Sequence, residues 1–281
     1  MNVPTFKKAF LEKYPERQAV ITYYEKATGR PCTWGDFTAY SLNKFRKYML
    51  EESGLCRKSV RRYLTWFSIV LAMFEEEVEL PKNWRKNLHV ADDISQHAYL
   101  TEEELMMIAE YTPKNDIEAY IKTSFLLGAL TGARHSDYMG FTERNVRDGW
   151  LNYVSQKTRK EANIPASPLI LKLIRQKAKV SRDLSEPCIN ENIRRICKNV
   201  GIDEEIQLYQ KGAYVVKQKW EYLTSHSARR SFATNLYLRG ADMYQIMKLM
   251  GHSSTTQTEG YICCGLRTLS NEVMGFFENF K

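Results

Sequence analysis

Several chemistries are missing from this chain before any motif is read. Its six cysteines, Cys32, Cys56, Cys188, Cys197, Cys263 and Cys264, form no C-x-x-C pair and keep no zinc-like spacing to histidine. That removes zinc modules and dithiol redox motifs from consideration. Scattered thiols in a chain with no recognisable signal peptide fit a reducing compartment, where at least the first four are expected to be buried or neutral. No apolar run approaches the ~20 residues that cross a bilayer. A soluble, cytoplasmic protein with no membrane role is therefore expected. There is no internal repeat and no low-complexity tract.

What is present is an ordinary globular composition with a basic bias. The 281 residues are 43% apolar and 12% aromatic, too apolar for disorder and long enough for two cores. Lysine and arginine number 41 against 33 acidic residues, a net charge of +8. This favours a polyanionic partner, though only weakly by itself.

The first ninety residues read as helices. Over Thr33 to Ser53 the apolar positions Phe37, Tyr40, Leu42, Phe45, Tyr48 and Met49 keep helical spacing, and Gly54 ends the element. A second helix is expected from about Ser59 to Glu79, with the stripe Val60, Leu64, Phe67, Leu71 and Phe74. Arg57, Lys58, Arg61 and Arg62 crowd its start, with Tyr63 and Trp66 nearby. Cations there oppose the helix dipole, a cost that a phosphate backbone laid across the helix end would offset; the bland alternative is a solvated basic face.

Residues 91–99 are polar and unpatterned and read as a linker. Thr101 then caps a helix, with Glu104 at the capping-box position. Ile117 to Leu130 is a largely buried helix that ends in Thr131-Gly132-Ala133-Arg134-His135-Ser136-Asp137. Gly149 to Ile164 changes to strand composition around the polar Lys157–Glu161. A short hairpin is possible between Leu208 and Tyr222. The chain is thus mostly α: a helical domain over 1–90, the linker 91–99, and an α+β domain over 100–281 with a small antiparallel sheet.

Four motifs after residue 130 carry chemistry. Arg134 follows the buried helix in Thr-Gly-Ala-Arg, with Asp137 three residues on; alone, such an arginine is usually a cap or a salt-bridge partner. Lys157 stands before Thr158 after a strand, with Lys160 close enough to compete. His226 and Arg229 are three apart and share a helix face. Gly251-His252 is followed nine residues later by Tyr261 in Thr258-Glu259-Gly260-Tyr261. Arginine and histidine donors hold phosphate oxygens as charge builds, and a tyrosine phenol can attack phosphorus covalently.

Taken in order, these motifs resemble the tyrosine recombinase (phage integrase) family, closest in feel to integrases of phages and conjugative transposons. The family's Thr-Gly-x-Arg-x-Ser-Glu is matched except that Asp137 replaces Glu. The contexts His226-Ser227-Ala228-Arg229, Leu249-Met250-Gly251-His252-Ser253-Ser254 and Thr-x-x-Tyr also match. The resemblance spans about residues 20 to 275. It implies that 1–90 is a core-binding DNA clamp, with Arg57, Lys58, Arg61 and Arg62 on DNA, and that 100–281 is catalytic. No arm-binding domain is expected to fit ahead of it.

The resemblance also implies a mechanism. Tyr261 is the nucleophile, and a phenol of ordinary pKa near ~10 needs a cationic pocket to act. Attack gives a 3′-phosphotyrosyl link and a free 5′-hydroxyl. Arg134, Arg229 and His226 hold the phosphate, His252 adds a hydrogen bond, Lys157 protonates the leaving oxygen, and Asp137 orients. Lys157 is preferred to Lys160 for the Lys-Thr match and the preceding strand. Arg230 is expected to pack or pair locally. No metal and no cofactor are implied. The partners implied are double-stranded DNA, a homotetramer on paired sites formed from a free monomer, and accessory DNA-bending or directionality proteins. Leu266 to Phe280, with Leu269, Val273, Phe276 and Phe277 on one face, reads as a helix docked in cis or on a neighbour. The rival readings are a type IB topoisomerase-like enzyme and an inactive DNA-binding protein on a recombinase scaffold.

Overall fold

A computed structural model of the chain describes residues 3–91, 95–177, 184–210 and 212–263. The expected helix over Leu266 to Phe280 lies outside the described residues, as do Cys264 and the linker residues Asp92 and Asp93. The chain divides into two units, Met1–Ser95 with Tyr209–Ala213, and Gln96–Leu208 with Tyr214–Lys281.

The first unit is helical: α1 (Phe6–Lys13), α2 (Ala19–Thr28), α3 (Ala39–Glu51), α4 (Arg57–Met73) and α5 (Trp84–Leu88). Its core is aromatic. The Phe67 ring on α4 lies 4.6 Å from Phe6, 5.1 Å from Phe45, 5.4 Å from Phe37 and 5.6 Å from Tyr24, which it stacks. Offset and edge contacts of this kind add to the burial of large apolar area. Two helices differ in their bounds from the sequence reading. Helix α3 starts at Ala39, not Thr33, because Thr38 and Ser41 form the capping box, while Trp34–Asp36 make a separate 3₁₀ turn. That turn is pinned by the Trp34 indole donating to the Pro4 carbonyl at 2.7 Å. Helix α4 stops at Met73 rather than near Glu79, before the exposed run Glu75–Glu77, and it begins at Arg57, so the basic cluster occupies its first turns.

The second unit, apart from the hairpin tip Tyr209–Ala213, follows as α6 (Glu102–Glu110), α7 (Asp116–Thr131), α8 (His135–Tyr138), β1 (Val146–Arg147), β2 (Trp150–Val154), β3 (Glu161–Pro165), α9 (Pro168–Gln176), α10 (Glu186–Asn199), β4 (Glu205–Gln210), β5 (Ala213–Gln218), α11 (Ser225–Leu238), α12 (Met243–Leu249) and α13 (Thr255–Glu259). Strands β1, β2 and β3 form one antiparallel sheet in that order, with Leu151 opposite Ile164, and β4 and β5 form a second. The expected hairpins are both present; β1, a strand of two residues, was too short to read. Thr101 and Glu104 make the anticipated capping box at α6.

The centre of this unit is the pairing of α7 with α11. Helix α7 is buried nearly all round, as its apolar run implied. A Cβ on Gly128 would lie 2.5 Å from Tyr138 and 3.2 Å from Ala228, so this glycine is what lets α7 lie against α8 and α11. Ser231 and Asn235 on the same helix α11 fasten the chain entering the unit. Ser231 Oγ accepts from the Leu100 N–H at 2.8 Å, and the Asn235 amide donates to the Leu100 carbonyl at 3.0 Å. Among the described residues no helix is long and apolar enough to cross a membrane. Of the first four cysteines, Cys32 and Cys197 are buried but Cys56 is exposed at the residue before α4, so the expectation of buried or neutral thiols does not extend to burial there.

Candidate active site

Helix α7 delivers the first cation. It ends at Gly132 in left-handed backbone (φ +64°), where a Cβ would lie 2.3 Å from Phe232, so conformation and packing both demand glycine. Arg134, the extended residue before α8, donates through Nη1 to Ser155 Oγ at 2.9 Å. The Ser155 hydroxyl in turn donates to Asp137 Oδ2 at 3.0 Å, and Asp137 Oδ1 accepts from the Gln156 N–H at 2.9 Å. Asp137 is buried and fully occupied in tying the end of β2 to α8. Both of its oxygens are thereby engaged by Ser155 and Gln156.

Lys157 lies exposed in the β2–β3 turn that this carboxylate anchors. The turn is closed by the Ser155 N–H donating to the Lys160 carbonyl and by the Arg159 N–H donating to the Ser155 carbonyl, both at 2.8 Å. Arg159 takes left-handed backbone there (φ +54°).

Helix α11 carries His226 and Arg229 one turn apart. His226 is exposed, and partial burial together with the charges of Arg230, Arg229 and Lys157 holds its pKa below the usual histidine value, against an opposing pull from Glu186. Arg229 is 1% exposed. It donates to the Gly132 carbonyl, to the Met250 carbonyl at 2.8 Å and to His252 Nε2, with Tyr261 alongside. Among the described residues no carboxylate pairs with it, and its buried Nε has no partner. Burial, followed by the charge of Arg134, pulls its pKa down to about 10.

Helix α12 ends near Gly251 (φ +61°), which turns the chain so that His252 is 4% exposed. A guanidinium only donates, so His252 Nε2 accepts from Arg229 and Nδ1 carries the hydrogen, donating to Thr258 Oγ1 at 3.0 Å. Burial and then the charges of Arg229 and Arg134 hold its pKa down to about 3. Donation from His252 to a phosphate would need the other tautomer. In this structure the ring instead accepts from Arg229 and lies beside Tyr261.

Tyr261 follows α13 by two residues. Its ring lies 5.2 Å from the His252 ring, 5.2 Å from Arg229 Cζ and 5.3 Å from Arg230 Cζ. Tyr153 also feels Arg229 and Arg134, but burial pushes its phenol up to about 12, which disfavours it as a nucleophile.

Arg134, Asp137, Arg229, His252 and Tyr261 thus form one connected cluster, with Lys157 and His226 in electrostatic reach. Arg57, Lys58, Arg61 and Arg62 belong to the first unit and are all exposed. The sequence reading missed Ser155, Thr258 and the grip of Arg230. Thr258 stood within Thr-x-x-Tyr, used only to locate Tyr261; Ser155 gave no local signal.

The model of the phage integrase family matches residues 98–263. The tyrosine recombinase XerC of Rickettsia canadensis is 30% identical over 169 residues, 59% of this chain and 54% of that protein. The chain spans about half the length of the curated XerC relatives it matches. Among solved structures, the Tn1549 transposon integrase in complex with transposon right end DNA superposes with a TM-score of 0.66 at 12% identity, covering 97% of this chain and 99% of that one. The lambda integrase tetramer bound to a Holliday junction gives 0.57 at 18%, covering 93% and 78%. These two likenesses establish the fold. The family match covers well over half of the residues, and the chain belongs to the phage integrase family.

Proposed function

We propose that this chain is a site-specific tyrosine recombinase that cleaves and rejoins double-stranded DNA through a 3′-phosphotyrosyl intermediate. The observation that carries the reading is Arg229: a guanidinium buried to 1% exposure with carbonyls, an imidazole and a phenol around it and no carboxylate beside it among the described residues. A buried charge without a counterion is costly. A phosphate entering beside Tyr261 would supply one.

The deprotonated Tyr261 oxygen attacks phosphorus as the bond to the 5′-oxygen breaks, and Lys157 gives that oxygen a proton. Arg134 and Arg229 balance the charge of the pentacovalent state and His226 donates a hydrogen bond. A free 5′-hydroxyl from a second duplex then attacks the phosphotyrosine and releases Tyr261, with no outside energy source. The donor set is cationic, and its one carboxylate, Asp137, is spent on Ser155 and Gln156. The helical unit clamps the duplex, linker 91–99 joins it to the catalytic unit, and a homotetramer assembles on paired sites. The protein acts in the cytoplasm, where its DNA is.

The test is a nicked suicide substrate that traps the adduct, with excess EDTA present. The parent should give a covalent band on a denaturing gel, and Tyr261→Phe should bind the duplex yet give none. An adduct that persists in Tyr261→Phe overturns the assignment. Plasmid relaxation without strand exchange between two sites would point to the topoisomerase reading.

A further inference from the structure

Arg230 sits next to a phosphate ligand but makes no contact that the proposed chemistry uses. Its Nη1 donates to the Gly260 carbonyl at 2.8 Å and lies 3.9 Å from Cys263 Sγ. Its Cζ is 5.3 Å from the Tyr261 ring centroid, within cation–π range. One turn later on the same helix, Thr234 Oγ1 accepts from the Cys263 N–H at 3.0 Å and reaches the Tyr261 carbonyl at 3.4 Å. The segment 260–263 is therefore held at both ends by two side chains of α11. Arg229, by contrast, is anchored to the ends of α7 and α12.

We propose that Arg230 is a positioning residue for the nucleophile: it grips the backbone before Tyr261 and covers its ring, so that Tyr261 is set by the same helix that carries His226 and Arg229. The inference rests on Tyr261 being the nucleophile. Only Gly260 to Cys263 follow α13 among the described residues, and the α11 side chains fix that short segment against the site. A guanidinium suits the task because one planar group can donate to a carbonyl and still lie against a ring. Misplacing a reacting group by about 1 Å can cost on the order of 10²-fold in rate.

The test compares Arg230→Met, Arg230→Lys and the parent in single-turnover cleavage at saturating protein, with duplex affinity and thermal unfolding measured alongside. Arg230→Met should slow adduct formation by about 10²-fold while affinity and unfolding stay near parental. Arg230→Lys, which keeps a donor and a cation, should recover most of the rate. A second readout needs no catalysis: fluorotyrosine placed at position 261 should give a ¹⁹F resonance that moves towards that of the free amino acid in Arg230→Met and stays put in Arg230→Lys. Parental rate and resonance in Arg230→Met, or losses that track unfolding or that lysine does not restore, overturn the proposal. Failure of the parent to form any adduct would instead count against the recombinase reading, and the ¹⁹F arm would still decide the placement of Tyr261.

Discussion

The Arg229 guanidinium and the His252 imidazole share a hydrogen bond that can run only from arginine to histidine, and Thr258 takes the hydrogen on the other ring nitrogen. The pair therefore holds His252 neutral, and this has a thermodynamic consequence. An unfolded histidine titrates near ~6.5, whereas folded His252 does so at about 3. Between those values the unfolded chain binds a proton that the folded one does not. His252 thus favours the folded state fully above pH ~6.5 and loses that contribution as pH falls towards 3.

Replacing His252 with glutamine should remove one proton from this linkage. The stability difference between parent and His252→Gln, followed by urea unfolding from pH 7 to 4, should shrink with falling pH at up to ~1.4 kcal/mol per unit. His135 and His226 are also held down, so the parent's own slope is a sum and only the difference isolates His252. Parallel curves would show that the ring is already protonated or already exposed.

Gly132 links fold to site. Its carbonyl accepts from Arg229, it ends α7 two residues before Arg134, and a Cβ would meet the Phe232 ring. Gly132→Ala combines left-handed strain of ~1–2 kcal/mol with overpacking of ~1–3 kcal/mol. An unfolding free energy lower by about 2–5 kcal/mol is expected, together with loss of cleavage at temperatures where the variant is still folded. A variant of parental stability would mean that Phe232 swings away freely.

Asp137 should matter for rate and not for binding. It accepts from Ser155 and from the Gln156 N–H, and so sets the turn that carries Lys157. Asparagine can satisfy one of those donors but not both with its single oxygen. Asp137→Asn should slow single-turnover cleavage by about 10²-fold and leave duplex affinity within a few-fold. Equal losses of affinity and rate would place Asp137 in a plain folding role.

The division between what the residues disclosed and what they hid follows contact range. Arg134, His226, Arg229, His252 and Tyr261 were legible because each stands in a short motif whose residue types suit phosphate chemistry. The apolar run of α7 and the capping box of α6 were legible because both are local patterns. Ser155 meets Arg134 across 21 positions and Arg230 meets Gly260 across 30, and no periodicity encodes such pairs. The α3 boundary was misread because Phe37 continues the helical spacing while the backbone takes a separate turn held from Pro4. Thr258 was in view but read as a signpost; its role needs the direction of a hydrogen bond two partners away.

The basic start of α4 offers a test that depends on none of the catalytic residues. Arg57, Lys58, Arg61 and Arg62 are exposed, and the helix they open has no acidic residue in its first turn and no side-chain cap. Such a helix end is electrostatically unfavourable in the free protein and suited to a phosphate backbone. Each phosphate contact releases counterions, so losing one makes the log–log salt dependence of binding shallower by ~0.9. Arg61→Ala with Arg62→Ala should therefore weaken binding on every duplex tested and reduce that slope by up to ~1.8. Thermal stability should hold or rise slightly, since two cations leave the positive end of the dipole. Unchanged affinity and slope in the double variant would make this cluster a solvated face and remove it from the proposed DNA contacts.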